Sequence, residues 1–338
     1  MKTQFLSLGA LLLCAVATVA QPNCSAPPTG LIPINDLGTG TFNGMTGGLY
    51  PNGSNNLPEA HRKAAIDIAR TQIVPRDISG KPDEQNGKIV WLSIGMSNTR
   101  METQQFLPLA NAYENKNPKL ILVDGAQGSM ASNRVSNPGN PNYEKFWNTI
   151  SINLAAAGVT ENQVQVIWFK QTNPAGRKPT VQAFYDTLVV QFKRTMNDIK
   201  RRFPNAKLCY MSSRISARYA SSVLNPEPYA YWTGWAMKKV IEDQINGDKQ
   251  LQYGGPAANS PLLVWGIYPW SDGITPQKSN PNVFWDCAAD FNKDGTHPSP
   301  VGAAKVGQWL LSFYQNDPLS CPWFFNKPPR WCSNVLSE

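Results

Sequence analysis

The chain alternates short, uninterrupted apolar runs with longer amphipathic stretches. The apolar runs are 88–94 (KIVWLSI), 119–124 (KLILVD), 163–170 (QVQVIWFK), 207–212 and 261–268 (PLLVWGIY). Helical spacing of apolar residues marks 102–113, 143–157, 180–203, 228–246 and 300–314, with one further helix at 58–71. Gly158, Pro204 and Gly247 close three of these helices, and Pro300 opens the last. A strand that is apolar along its whole length, rather than at every second residue, is buried on both faces. Five such strands separated by helices predict an α/β fold: a three-layer α/β/α sandwich around a five-stranded parallel sheet, flavodoxin-like, with right-handed crossovers.

The first twenty residues read as an export signal. Lys2 precedes an apolar core from Phe5 to Val19, and Thr18-Val19-Ala20 offers a small-residue cleavage site. The expected organisation is a signal at 1–20, an irregular extension with one helix at 21–87, the α/β domain at 88–316 and a cysteine-containing tail at 317–338. No later segment has a membrane-spanning length of uncharged apolar residues, so the processed chain is expected in a secreted or periplasmic location without an integral membrane segment. The formal charge is +8. The basic residues fall on the solvated faces of the helices, and no zinc-finger spacing, RNP motif or basic heptad accompanies them, so no nucleic-acid partner is expected. A milder attraction to acidic polysaccharide or cell envelope fits the charge.

Five cysteines follow the signal: Cys24, Cys209, Cys287, Cys321 and Cys332. In an exported protein some are oxidised, and an odd count leaves at least one free or paired between chains. Cys209 lies in an apolar run and is the candidate buried thiol, while Cys321 and Cys332 bracket a tail they can staple. Spacing leaves the connectivity open. With no CxxC pair and only two histidines, no metal site is expected.

In sheets of this kind ligands sit beyond the carboxyl ends of the strands. Ser97, in Gly95-Met96-Ser97-Asn98, follows the first strand, where Gly95 allows a tight turn that exposes a hydroxyl; a plain helix cap is the alternative. Gly128 follows the second strand and offers a backbone N–H, with Gly125 as competitor. Asn173 follows the third strand and offers a side-chain amide. Asp294 and His297, in Asp294-Gly295-Thr296-His297-Pro298, follow the fifth. An acid three residues before a histidine can hold the imidazole in one tautomer, as a general base for serine requires. Asn98, Arg214, Arg218, Trp270 and Trp285 are candidate substrate-binding residues, the arginines for carboxylate or sugar hydroxyls and the tryptophans for stacking on a sugar ring. The other histidine, His61, is expected in a surface or packing role.

Ser97, Gly128, Asn173 and His297, in this order on successive α/β elements, resemble the SGNH (GDSL-like) hydrolase superfamily. The Gly-x-Ser-Asn block is nearest to that of carbohydrate acetylesterases, whereas Met96 and Gln171-Thr172-Asn173-Pro174 depart from the family pattern. The resemblance covers roughly 88–314. It implies cofactor-free ester hydrolysis through an acyl-enzyme, with catalytic Ser97, Asp294 and His297 and an oxyanion hole of Ser97, Gly128 and Asn173. The substrate it implies is an O-acylated carbohydrate or other small ester. The alternatives are an inactive glycan-binding protein on the same scaffold, a lipase-like esterase and an acyltransferase.

Overall fold

A computed structural model describes residues 21–336; the candidate export signal lies outside them. Five parallel strands form the sheet: β1 (Ile89–Gly95), β2 (Leu120–Asp124), β3 (Val164–Lys170), β4 (Leu208–Met211) and β5 (Leu262–Trp265). Their spatial order is β2-β1-β3-β4-β5. The chain therefore leaves β1 in one direction to make β2 and crosses back over it to make β3. That reversal opens a crevice at the carboxyl ends of β1 and β3, which is where doubly wound sheets bind ligands.

Six helices cover the sheet: α1 (Glu59–Thr71), α2 (Ser97–Asn111), α3 (Tyr143–Ala156), α4 (Val181–Arg202), α5 (Tyr229–Ile245) and α6 (Pro300–Asn316). Side chains of α3, α4 and α5 share one apolar core with Val90, Leu92 and Ile94 of β1. Those of α1, α2 and α6 share a second core with Ile89 and Trp91. Successive residues of β1 thus enter opposite cores, the two-residue period of a strand buried on both faces. The register between β1 and β3 shifts at Val90 and Trp91, leaving Gln165 as an extra residue. Its side chain is occupied at that point, accepting from the Val74 N–H and from Arg76 Nε.

Side-chain caps mark two of the helix starts. Thr180 Oγ1 accepts from the Ala183 N–H at the head of α4, and Ser299 Oγ from the Gly302 N–H at the head of α6, where Pro300 occupies the first helical position. The main departure from sequence expectation is α2, which begins at Ser97 rather than 102. Its first turn is polar and reads as loop, but Thr99 donates to the Lys170 carbonyl at the end of β3 and Thr103 to the Thr99 carbonyl within the helix, so both hydroxyls are satisfied.

Residues 21–87 lie along the sandwich. Besides α1 they form a two-stranded hairpin, Thr41–Phe42 with Met45–Thr46, whose Phe42 ring packs 5.1 Å from Tyr231 and 5.4 Å from Trp232. A disulfide joins Cys24 to Cys287, a second joins Cys321 to Cys332 in the tail, and Cys209 is a buried free thiol. His61 packs inside, with Nε2 2.9 Å from the Leu263 carbonyl and its ring edge-on to Tyr253. Among the described residues no helix is long and apolar enough to cross a membrane.

Asp317, just after α6, accepts a 2.6 Å hydrogen bond from the Tyr210 hydroxyl. Burial pushes its carboxyl up to about 6, against the hydrogen bonds from Tyr210 and the Leu319 N–H. The folded state therefore favours the protonated acid, and ionising it weakens the fold as pH rises from about 4 through 6. Asp317→Asn, which keeps an acceptor for Tyr210 and cannot ionise, is expected to be more stable than wild type at pH 7. Urea midpoints measured from pH 3.5 to 7.5 should show the difference growing across that window and vanishing at its acid end.

Candidate active site

The loop 294–297 is built around one carboxylate. Asp294 Oδ1 accepts from the Thr296 and His297 backbone N–H groups, both at 3.0 Å, and Oδ2 lies 2.5 Å from His297 Nδ1. One oxygen shapes the turn while the other orients the ring. Gly295 has φ +62°, and a Cβ there would collide with the Tyr219 carbonyl, so only glycine fits. Burial raises the Asp294 pKa, and the hydrogen bonds from the His297 ring, the His297 N–H and the Thr296 N–H outweigh it, holding the carboxyl at about 2. Asp294 is therefore ionised beside the imidazole across the physiological range. With Nδ1 donating to it, Nε2 is left as the acceptor.

Nε2 of His297 lies 2.7 Å from Ser97 Oγ. Ser97 is the first residue of α2, with Met96 in extended backbone before it. Gly95 is required by close approach: a Cβ would strike Thr99 and the Lys170 carbonyl, where α2 meets the end of β3. The structure thus brings Ser97, His297 and Asp294 into one hydrogen-bonded line, although 200 residues separate serine from histidine.

The serine opens into a cavity of about 300 Å³ walled by Met96, Gly128, Asn133, Arg134, Leu224 and His297, among others. Gly128 and Ser129 are the central residues of a turn closed by the Met130 N–H on the Gln127 carbonyl; Ser129 has φ +65°. Among the described residues the N–H groups of Gly128 and Ser129 have no acceptor, and the first-turn N–H of Ser97 has none within its helix. Gly125 differs, because its N–H is bonded to the Ser93 carbonyl. Asn173 stands behind the wall: its Oδ1 accepts from the Asn133 N–H and its Nδ2 donates to Gln191 Oε1, leaving one amide hydrogen uncommitted.

The remaining sequence candidates have other tasks. Asn98 touches the cavity but is buried, and its amide donates to the Thr296 carbonyl. Arg214, expected to meet substrate, is only 1% exposed: Nη2 donates to the same Thr296 carbonyl and Nε to Asn225 Oδ1. Its guanidinium fixes the peptide before His297 from inside. Arg218, also expected at the substrate, bonds the Ala26 carbonyl and so anchors the N-terminal segment. Trp270 and Trp285, expected to stack on sugar, are both buried, with Nε1 donating to Glu227 and to the Pro269 carbonyl. Position after a strand identified the correct edge of the sheet for these residues; it carried no information on whether each side chain turned inward. Sequence reasoning passed over Asn133 and Arg134, which follow β2 in a polar stretch without a distinguishing pattern.

Beneath the serine lies a buried ion pair. Lys170, the last residue of β3, places Nζ 2.6 Å from both oxygens of Glu102 on α2, and neither side chain reaches solvent. Burial works against both charges, pushing the Lys170 ammonium down to about 8 and the Glu102 carboxyl up, while each partner stabilises the charge of the other. No group of three or more His, Cys, Asp or Glu side chains among the described residues is placed to hold a metal ion.

Neither a family model nor a curated protein sequence matches the chain. In structure it is similar, over 67% of its length, to a candidate SGNH hydrolase from Slackia heliotrinireducens, at 12% identity, TM-score 0.37 and 99% coverage of that chain. It is similar over the same share to the lipase Lip_vut3 from a goat rumen metagenome, at 10% identity, TM-score 0.37 and 97% coverage. A third likeness, over 68%, is to a family two carbohydrate esterase from Clostridium thermocellum, at 12% identity, TM-score 0.36 and 64% coverage.

Breaking the buried pair strands a charge. Glu102→Gln is expected to cost about 3–5 kcal/mol of stability by chemical denaturation. Adding Lys170→Met to it should restore part of that loss, because the two positions are in contact and do not add. A double variant as unstable as the sum of its singles would contradict the coupling.

Proposed function

We propose that this chain is an exported SGNH-type serine esterase that removes O-acyl groups, acetyl foremost, from carbohydrate. The observation that carries the reading is the line from Ser97 Oγ through the His297 ring to the ionised Asp294, at 2.7 and 2.5 Å. Ser97 Oγ attacks the ester carbonyl as His297 Nε2 takes its proton, and Asp294 stabilises the imidazolium that forms. The negative oxygen of the tetrahedral intermediate sits against the N–H groups of Ser97 and Gly128, with Asn173 contributing its uncommitted amide hydrogen. The carbon–oxygen bond to the alcohol then breaks, and that oxygen leaves with the proton from Nε2. Water repeats the sequence on the acyl-serine, giving up one proton to His297, and the carboxylic acid departs as Ser97 is restored. Besides the ester and water, the groups that act in these steps are side chains and N–H groups of the chain. The carbohydrate preference rests on the Gly-x-Ser-Asn block and on a cavity sized for a small acyl group.

Purified wild type is expected to hydrolyse p-nitrophenyl acetate faster than the decanoate and to release acetate from acetylated oligosaccharide. Ser97→Ala should lower kcat by about 10⁶-fold and Asp294→Asn by about 10⁴-fold, the latter with a loss of stability at pH 7 that shrinks as the pH falls below about 4, because only the ionised carboxylate holds the turn. Equal rates for wild type and Ser97→Ala would remove the triad from the mechanism. A preference for the decanoate would move the substrate to lipids.

A further inference from the structure

The cavity beside Ser97 is electrically lopsided. Arg134 lines it, and among its described walls there is no aspartate or glutamate. Asp294, the carboxylate of the neighbouring loop, is already taken by His297 and its backbone. Arg134 belongs to the short helical turn Ser132–Val135 that also carries Asn133. Its one side-chain hydrogen bond among the described residues runs from Nη1 to the Ser129 carbonyl, at 3.0 Å, within its own segment. No carboxylate lies within ion-pairing distance of it among the described residues.

That bond matters for what the guanidinium can do. It tethers one nitrogen to the turn that presents the Gly128 and Ser129 N–H groups, so the side chain is held at the cavity wall. The remaining nitrogens stay free to donate. A planar fork with unused donors, fixed beside a reacting ester, matches a carboxylate in geometry as well as in charge. Arg214 and Arg218 are the arginines that position in the sequence favours for this task, and both are committed to backbone carbonyls of the protein. The chain's formal charge of +8 favours approach of an anionic substrate.

We propose that Arg134 forms a carboxylate-binding subsite, so that this chain acts on esters that carry a carboxylate close to the scissile bond. This rests on the esterase reading. The acid has two possible positions. On the alcohol side it makes the substrate an O-acylated uronic acid; on the acyl side it makes it a half-ester of a dicarboxylic acid. The shared chemistry is one carboxylate held in the Arg134 fork while Ser97 attacks the neighbouring carbonyl.

The test uses two matched pairs. One is O-acetylated methyl glucuronide against its methyl ester. The other is the p-nitrophenyl hemisuccinate against p-nitrophenyl methyl succinate. For wild type, kcat/KM is expected to favour the free acid by at least about tenfold in one of the pairs, and the pair that responds locates the carboxylate. In Arg134→Gln that ratio should fall towards one; in Arg134→Lys, which keeps the charge and loses the fork, it should fall part of the way. No preference in either pair, or a preference undiminished in Arg134→Gln, overturns the subsite. Calorimetric titration of Ser97→Ala with the same compounds separates the two readings. Acid-selective binding that Arg134→Gln abolishes, with no turnover by wild type, supports the subsite and sinks the esterase. Turnover of both members of each pair at equal efficiency, with no acid-selective binding, supports the esterase and sinks the subsite.

Discussion

The Glu102–Lys170 pair is the contact on which the candidate site rests. α2 must end its first turn against the carboxyl edge of β3, because only there does Ser97 face the crevice left by the reversal of strand order. A helix held by apolar packing alone can slide or rotate by a fraction of a turn at small cost. Two opposite charges enclosed away from water cannot separate without exposing each to a low-dielectric surround. The ammonium on the central strand and the carboxylate one turn beyond Ser97 therefore fix the helix in both rotation and height. Thr99, donating to the Lys170 carbonyl, and Gly95, which lets the two backbones approach, complete the same joint. The exchange is one of net stability for position: an apolar pair would be less costly to bury and would specify less.

A second joint holds the histidine. The Thr296 carbonyl receives hydrogen bonds from Asn98 on the serine side and from Arg214 beyond β4. Asn225, which accepts from Arg214, donates in turn to the Thr172 hydroxyl and the Asn173 carbonyl. The segments after β1, β3, β4 and β5 are thus connected by one buried polar network. The bonds of this network join different parts of the chain, so moving one loop breaks a bond held by another. The geometry at Ser97 and His297 is in this sense a property of four loops together.

Much of the architecture was legible in the sequence because burial on both faces leaves a plain mark. Runs such as KIVWLSI and QVQVIWFK admit few other structures, and glycine or proline closed the helices within a residue or two. Ser97, Gly128 and His297 were traceable for a related reason: in a parallel sheet, the residue after a strand is delivered to one edge. Side-chain direction was not traceable. Arg214 and Arg134 both follow strands and both read as basic residues near a site, yet one is sealed beneath the Thr296 carbonyl and the other borders the cavity. What separates them is tertiary: Arg214 meets Asn225 and Thr296 from distant segments, and no local pattern announces those partners. The start of α2 was hidden similarly, since Ser97-Asn98-Thr99 looks like loop until the Lys170 carbonyl is there to receive a hydroxyl.

The Cys24–Cys287 bond has a consequence for how the halves of the site find one another. Along the chain, Ser97 and His297 are 200 residues apart. Through the sulfur bridge the path is far shorter: 73 residues from Ser97 back to Cys24, then ten from Cys287 on to His297. Closing a loop costs conformational entropy that grows with the length to be closed. An oxidised, unfolded chain therefore meets a smaller entropic barrier to reuniting serine and histidine than a reduced one. A bond lying outside the catalytic line acts as a shortcut in chain topology, and its redox state sets the effective distance between the two parts of the candidate site while the chain is still unfolded.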